Sequence, residues 1–150
     1  MRYTLGLTIA ILLLSACNKD KFTTVPQIKY KSISPTAIVA GLASEPILTI
    51  SITDAEGDIG LTAKDTAFIY MKNLLTKDFD SLPFPDLQTS AKSNFKADVE
   101  FDTRKVFKCK SLPGFPVHID TLYFEVYVKD FAKNKSNVIT TEQPVYYTCK

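Results

Sequence analysis

The chain of 150 residues has no Trp, one His, five Gly and three Cys. One His with three Cys falls short of the ligand sets that hold zinc. The sequence lacks a Gly-x-Ser-x-Gly elbow, and its cysteines suit oxidation rather than a Cys and His pair, which removes the common signatures of nucleophilic hydrolases. An excess of one charge sign is missing too. With 18 basic against 16 acidic side chains, the chain is unlike a nucleic-acid binder, whose surface is strongly basic. Nor is any apolar run long enough to cross a membrane: Leu5 to Leu14 would cover about 15 Å as a helix, roughly half the hydrocarbon core. No internal repeat, low-complexity tract or alternation of strands with long amphipathic helices is present. What remains suits one folded domain. Hydrophobic residues make up 45% and charged residues 23%, close to the globular average, and the 7 Tyr and 10 Phe, with many Thr, Val and Ile, favour strands.

Arg2, the apolar run and the small residues before Cys17 follow the order of a secretory signal. The four residues Leu14-Ser15-Ala16-Cys17 resemble the lipobox of bacterial lipoproteins. The resemblance implies cleavage before Cys17, diacylation of its thiol and acylation of the new amino terminus. Each buried methylene contributes about 0.8 kcal/mol, so two or more chains anchor stably where one holds only reversibly. Asn18 stands where Asp would mark inner-membrane retention, which implies the outer membrane. Lys19-Asp20-Lys21 is similar to the surface-export tag of Bacteroidota-type lipoproteins, and both faces of that membrane stay open. Residues 17–31 are expected to form the lipidated terminus and a polar tether, and residues 32–150 the folded domain.

Cleavage removes Arg2 and no acidic residue, leaving 17 basic and 16 acidic side chains and no electrostatic partner. It also leaves Cys109 and Cys149. In an oxidising envelope such a pair forms a disulfide more often than not, and closing a loop of 40 residues would stabilise the fold by about 4 kcal/mol. Two free thiols are the competing reading, because spacing alone does not orient the side chains.

Strand patterns run through the rest. In Ile47 to Thr53, Leu48, Ile50 and Ile52 alternate with Thr49, Ser51 and Thr53, the period of a half-buried strand. Thr66 to Leu75 reads as a second strand, with Phe68-Ile69-Tyr70-Met71 apolar on both faces and so compatible with a short helix as well. Asp78 to Asn94 shows no periodicity and is expected to be a long loop. Phe95 to Lys110 is expected to be a hairpin turning near Asp102-Thr103-Arg104. The clearest strand is Thr121 to Lys129, with Leu122, Phe124, Val126 and Val128 on one face. A last strand is expected from Asn137 to Thr141, resuming at Val145 to Thr148 after Pro144. About seven strands and no helices predict an all-β fold, an antiparallel two-sheet sandwich.

Two segments carry a further resemblance. Val126-Tyr127-Val128-Lys129-Asp130-Phe131-Ala132-Lys133-Asn134-Lys135-Ser136-Asn137 resembles the closing hairpin of bacterial Ig-like and fibronectin-III-like domains. Lys133 replaces the usual Gly, with Asn134 expected to supply the left-handed residue. Asp54-Ala55-Glu56-Gly57-Asp58-Ile59-Gly60 resembles a loop that follows an early strand in Bacteroidota-type lipoproteins. The resemblance implies an Ig-like sandwich and no particular activity.

Asp54, Glu56 and Asp58 stand at alternate positions beside two Gly, and Asp65 follows Asp54 by 11 residues, the offset of the last ligand in an EF-hand. The Gly, Glu and flanking helices that an EF-hand requires are missing. Two readings stand: a Ca²⁺ site of the sandwich-loop kind, completed by Asp130 from another loop, or a solvated turn. His118 and Asp120 allow a triad to be written with a serine, although an isolated His is seldom catalytic. Tyr123 and Tyr127 share a strand face, with Tyr146 and Tyr147 further on. They read either as a platform for sugar or peptide or as packing on neighbouring strands. Arg104, Lys105, Lys108 and Lys110 read as a charged edge that blocks sheet pairing.

The expectation is therefore a non-enzymatic, lipid-anchored outer-membrane module for binding, adhesion or assembly. Its acyl chains meet the membrane, its partner is a protein or a glycan, and Ca²⁺ is the one candidate cofactor. The alternatives are a glycan-capturing accessory lipoprotein of a polysaccharide-uptake system and a small hydrolase centred on His118.

Overall fold

The computed structural model describes residues 22–42, 46–86 and 93–150; Cys17 and the leader lie outside the described residues. The fold is all-β, and the one helical element among the described residues is a 3-10 turn, Arg104–Val106. None of their helices is long and apolar enough to cross a membrane. The strands are β1 (Gln27–Ser34), β2 (Ala37–Val39), β3 (Ile47–Asp54), β4 (Phe68–Asn73), β5 (Phe79–Pro83), β6 (Phe95–Asp102), β7 (His118–Leu122), β8 (Phe124–Lys129), β9 (Ile139–Thr140) and β10 (Val145–Cys149). They form three sheets in the orders β1-β3-β6, β2-β10-β7 and β5-β4-β8-β9. Tyr123 alone separates β7 from β8, so the chain passes directly from the second sheet to the third.

The period-two stripes build one sandwich-like core. Leu48, Ile50 and Ile52 of β3, Ile69 and Met71 of β4, and Phe124, Val126 and Val128 of β8 are buried together. Each such side chain contributes about 1.5 to 3 kcal/mol when fully buried. Pairing is antiparallel except between β2 and β10, which run parallel. The expectation of antiparallel pairing throughout fails there because the chain leaves β1's sheet after Ser34 and lays β2 beside the last strand.

Several local expectations are corrected. Strand β1 begins at Gln27, within the segment assigned to the tether. Ile28 is buried in the core, and its backbone is clasped by the Asn137 amide, which accepts from the Ile28 N–H at 2.8 Å and donates to its carbonyl at 2.9 Å. The expected loop after Asp78 contains β5, an edge strand that among the described residues pairs only with β4. It buries neither face fully, so it leaves no periodicity, and Pro83 is tolerated there. No hairpin returns after β6. Thr103 bonds the Pro46 carbonyl through its hydroxyl at 2.7 Å, the 3-10 turn buries Val106, and the chain crosses to the other sheet. Asn73 receives it, donating from its side-chain amide to the Val106 carbonyl at 3.0 Å. The basic cluster therefore sits on a crossover, where Lys105 pairs with Asp80, Lys108 with Asp78 and Arg104 with Asp102. The left-handed residue of the turn after β8 is Lys133 (φ 71°), while Asn134 is held by Asp130.

The crossover ends at Cys109, bonded to Cys149 of β10 with Cα atoms 5.8 Å apart. Replacing both cysteines by Ala is expected to lower the unfolding free energy by about 4 kcal/mol. Urea denaturation of the wild type and of this variant, both under oxidising conditions, checks this, and a difference near zero would refute it.

Candidate functional site

Strand β3 buries Leu48, Ile50 and Ile52, and the next residue of that parity is Asp54, 0% exposed. Strand β8 buries Phe124, Val126 and Val128, and the next residue of that parity is Asp130, also 0% exposed. Two strands from different sheets thus each end an inward-facing stripe with an aspartate. Asp58 joins them from the loop after β3, and one ligand atom each from Asp54, Asp58 and Asp130 lie within 4.8 Å of one another.

The loop is shaped for this meeting. Gly57 (φ 70°) and Gly60 (φ 125°) take conformations that side chains disfavour, and the Gly57 N–H donates to Asp54 Oδ2 at 2.6 Å. Ile59 between them is buried in the core. The Phe131 N–H donates to the Asp58 carbonyl at 3.0 Å, linking the loop to the turn after β8. Asp130 accepts from the Asn134 N–H at 2.7 Å and from its side-chain amide at 2.9 Å. Asp54 Oδ1 and Asp58 Oδ1 are buried and have no hydrogen-bond partner. Burial foremost, with the Asp58 carboxylate adding to it, pushes the Asp54 carboxyl up to about 6 from the ordinary 3.8, against the lowering effect of the Gly57 N–H.

Of the five acidic residues singled out in the sequence, the structure brings together Asp54, Asp58 and Asp130. Glu56 is exposed and outside the cluster, and Asp65 belongs to a separate turn in which its N–H donates to the Thr62 hydroxyl at 2.9 Å. The EF-hand offset therefore has no structural counterpart. Asn134 was missed as the residue that orients Asp130. Its signal in the sequence is the Asp-x-x-x-Asn spacing, in which an Asp side chain bonds nearby backbone.

His118 and Asp120 do lie together, with His118 Nε2 3.5 Å from Asp120 Oδ1. Asp120 also accepts from the Lys110 N–H at 2.7 Å, and His118 Nδ1 lies 3.0 Å from the Phe115 carbonyl. No serine bonds to His118 among the described residues, and the pair holds the crossover against β7. Tyr127 stacks on Tyr70 (4.7 Å, 7°), Tyr70 on Phe79 (6.0 Å, 21°), and Lys135 lies 4.1 Å above Tyr127. Tyr123 takes no part in this stack, and Tyr147 meets Phe107 edge-on. The apolar residues on both faces of Phe68-Ile69-Tyr70-Met71 are explained by it, with Ile69 and Met71 in the core and Phe68 and Tyr70 on the ring-lined outer face.

No protein-family model and no curated protein matches the sequence. Among solved structures, the chain is similar to a β-glucosidase from Kluyveromyces marxianus in complex with glucose, at 11% identity and a TM-score of 0.34 over 85% of this chain and 15% of that one. A β-glucosidase from Listeria innocua in complex with glucose gives 11% and 0.33 over 81% and 16%. The chain spans less than a fifth of either enzyme, and a likeness this low carries no argument about activity.

The titration of Asp54 has a measurable consequence in metal-free buffer. Its folded value of about 6 lies above the ordinary 3.8, so between these values the folded state holds the extra proton and stability falls as pH rises. The urea midpoint is expected to drop as pH is raised from 4 through 6, and Asp54→Asn to flatten that slope. An unchanged slope in the variant would assign it to other groups.

Proposed function

We propose that the chain is a lipid-anchored cell-envelope module, an Ig-like β-sandwich acting in binding, adhesion or assembly without enzymatic activity. The observation that carries this reading is Leu14-Ser15-Ala16-Cys17 placed shortly before an all-β, disulfide-linked domain. Residues 18–26 are all that separates Cys17 from β1, and fully extended they span about 30 Å. The domain would then work close to the membrane surface. The Ig-like reading draws support from a first segment shared between sheets, with β1 antiparallel to β3 and β2 parallel to β10. The binding reading draws support from the outward face of β7 and β10. Ile119 pairs with Thr148 and Tyr146 with Thr121, leaving Ile119 63% and Tyr146 50% exposed near exposed Phe115 and Val117. An apolar patch of this kind on a folded surface is where partners dock.

A second reading, glycan capture, draws on the groove of about 280 Å³ between Lys72, Phe79, Glu125, Tyr127 and Lys135. Tyr70 on β4 and Lys135 beyond the opposite side of β8 cover both faces of the Tyr127 ring. Phe79, 55% exposed, is then the ring available to a sugar. Retardation in a polysaccharide affinity gel, lost in Phe79→Ala, would favour this reading over the first.

Expression in a bacterial host with a lipoprotein pathway tests the anchoring. The wild-type chain is expected in the outer-membrane fraction with the mass of an acylated Cys17 amino terminus, and Cys17→Ser as an unacylated chain absent from that fraction. Wild-type material carrying an intact leader or a bare Cys17 thiol would overturn the proposal.

A further inference from the structure

We propose that Asp54, Asp58 and Asp130 bind one Ca²⁺ ion that locks the loop after β3 to the turn after β8. The three ligand atoms already lie within 4.8 Å of one another, although two of the residues are delivered by strands of different sheets. A cluster of carboxylates alone would not argue for an ion. The further observation is Asp54, fully buried, with Oδ1 unpartnered among the described residues, and in the same cluster Asp58, whose Oδ1 is a second buried and unpartnered oxygen. A carboxylate oxygen taken from water without a partner is costly. No ion pair among the described residues involves Asp54, Asp58 or Asp130; Lys and Arg side chains pair instead with carboxylates such as Asp78, Asp80, Asp98 and Asp102.

The chemistry selects the ion. Every side-chain donor in the cluster is a carboxylate oxygen, and among the described residues neither His nor Cys belongs to it, so the site suits a hard cation. Amides of Gly57 and Asn134 already hold some of the carboxylate oxygens, and the donors come from two separate loops. Such a set gives irregular coordination completed by water. Ca²⁺ accepts six to eight oxygens in flexible geometry, whereas Mg²⁺ demands a near-ideal octahedron. The ion would replace carboxylate repulsion at the end of the core by a bridge between the sheets. This inference rests on the site geometry and stands apart from the acylation of Cys17.

The test is calorimetric titration of the metal-stripped full-length protein in detergent with CaCl₂ and separately with MgCl₂, paired with melting in calcium and in chelator. One Ca²⁺ per chain is expected, with a dissociation constant of about 0.1 to 1 mM, ordinary for extracellular modules, and weaker Mg²⁺ binding. Calcium near a hundred times that constant should raise Tm by about 8 °C. Asp58→Asn is expected to lose the calcium response while melting cooperatively in chelator at or above the wild-type temperature, because the amide removes a repulsive charge. Glu56→Gln, outside the cluster, is expected to keep the full response. No binding heat with equal Tm in calcium and chelator would overturn the site. So would a calcium response retained in Asp58→Asn, one lost in Glu56→Gln, or equal affinity for Mg²⁺.

Discussion

Burial of alternate residues of β3 and β8 into one shared core governs where the rest of the chain can go. Leu48, Ile50 and Ile52 on one strand and Phe124, Val126 and Val128 on the other are all excluded from solvent. A period of two admits no selection by residue type: whatever comes next at the same parity is also turned inward. At the ends of these two stripes that residue is Asp54 and Asp130. The packing that stabilises the domain therefore also concentrates negative charge at one end of its core, where few hydrogen bonds are available to compensate it. The glycines of the loop after β3 and the Asn134 clasp are local answers to that charge, and they leave two buried oxygens unanswered.

At the opposite end the β4 stripe closes on a neutral side chain. Asn73, at the end of the β4 stripe, is buried but satisfied: its carbonyl accepts from the Leu75 and Thr76 N–H groups, and its amide donates to Val106. That single side chain closes the turn into β5 and receives the crossover from β6. The disulfide then fixes the end of the crossover to β10. One end of the domain is thus held by the Asn73 hydrogen bonds, the Lys105–Asp80 and Lys108–Asp78 pairs and a covalent bond, while the other gathers carboxylates that no cationic side chain pairs with among the described residues. The contrast sets the acidic end apart as the place where an outside group has something to add.

How much of this is legible in the sequence differs by element. Strands with one face buried and one exposed, β3 and β8 above all, are read directly, because hydrophobic contrast writes the period into the residues. Strand β5 is hidden because an edge strand has no fully buried face. The hairpin expected after Phe95 fails because Val106 and Phe107, apolar at neighbouring positions, pack as plugs between sheets rather than as strand alternation. Within the acidic loop, residue type could not separate Asp58 from Glu56, since both are carboxylates at alternate positions. The path of the folded loop separates them, leaving Glu56 exposed and bringing Asp58 to Asp54 and Asp130.

The sequence by itself determined the all-β character, the parity of the main strands and the acidic nature of the loop, since these follow from local periodicity and composition. Only the tertiary structure decided that Asp54, Asp58 and Asp130 meet while Asp65 stands apart, and that Cys109 reaches Cys149. Proximity across 40 residues for the cysteines and more than 70 for Asp130 and the β3 loop depends on how the sheets face each other, which no local pattern encodes.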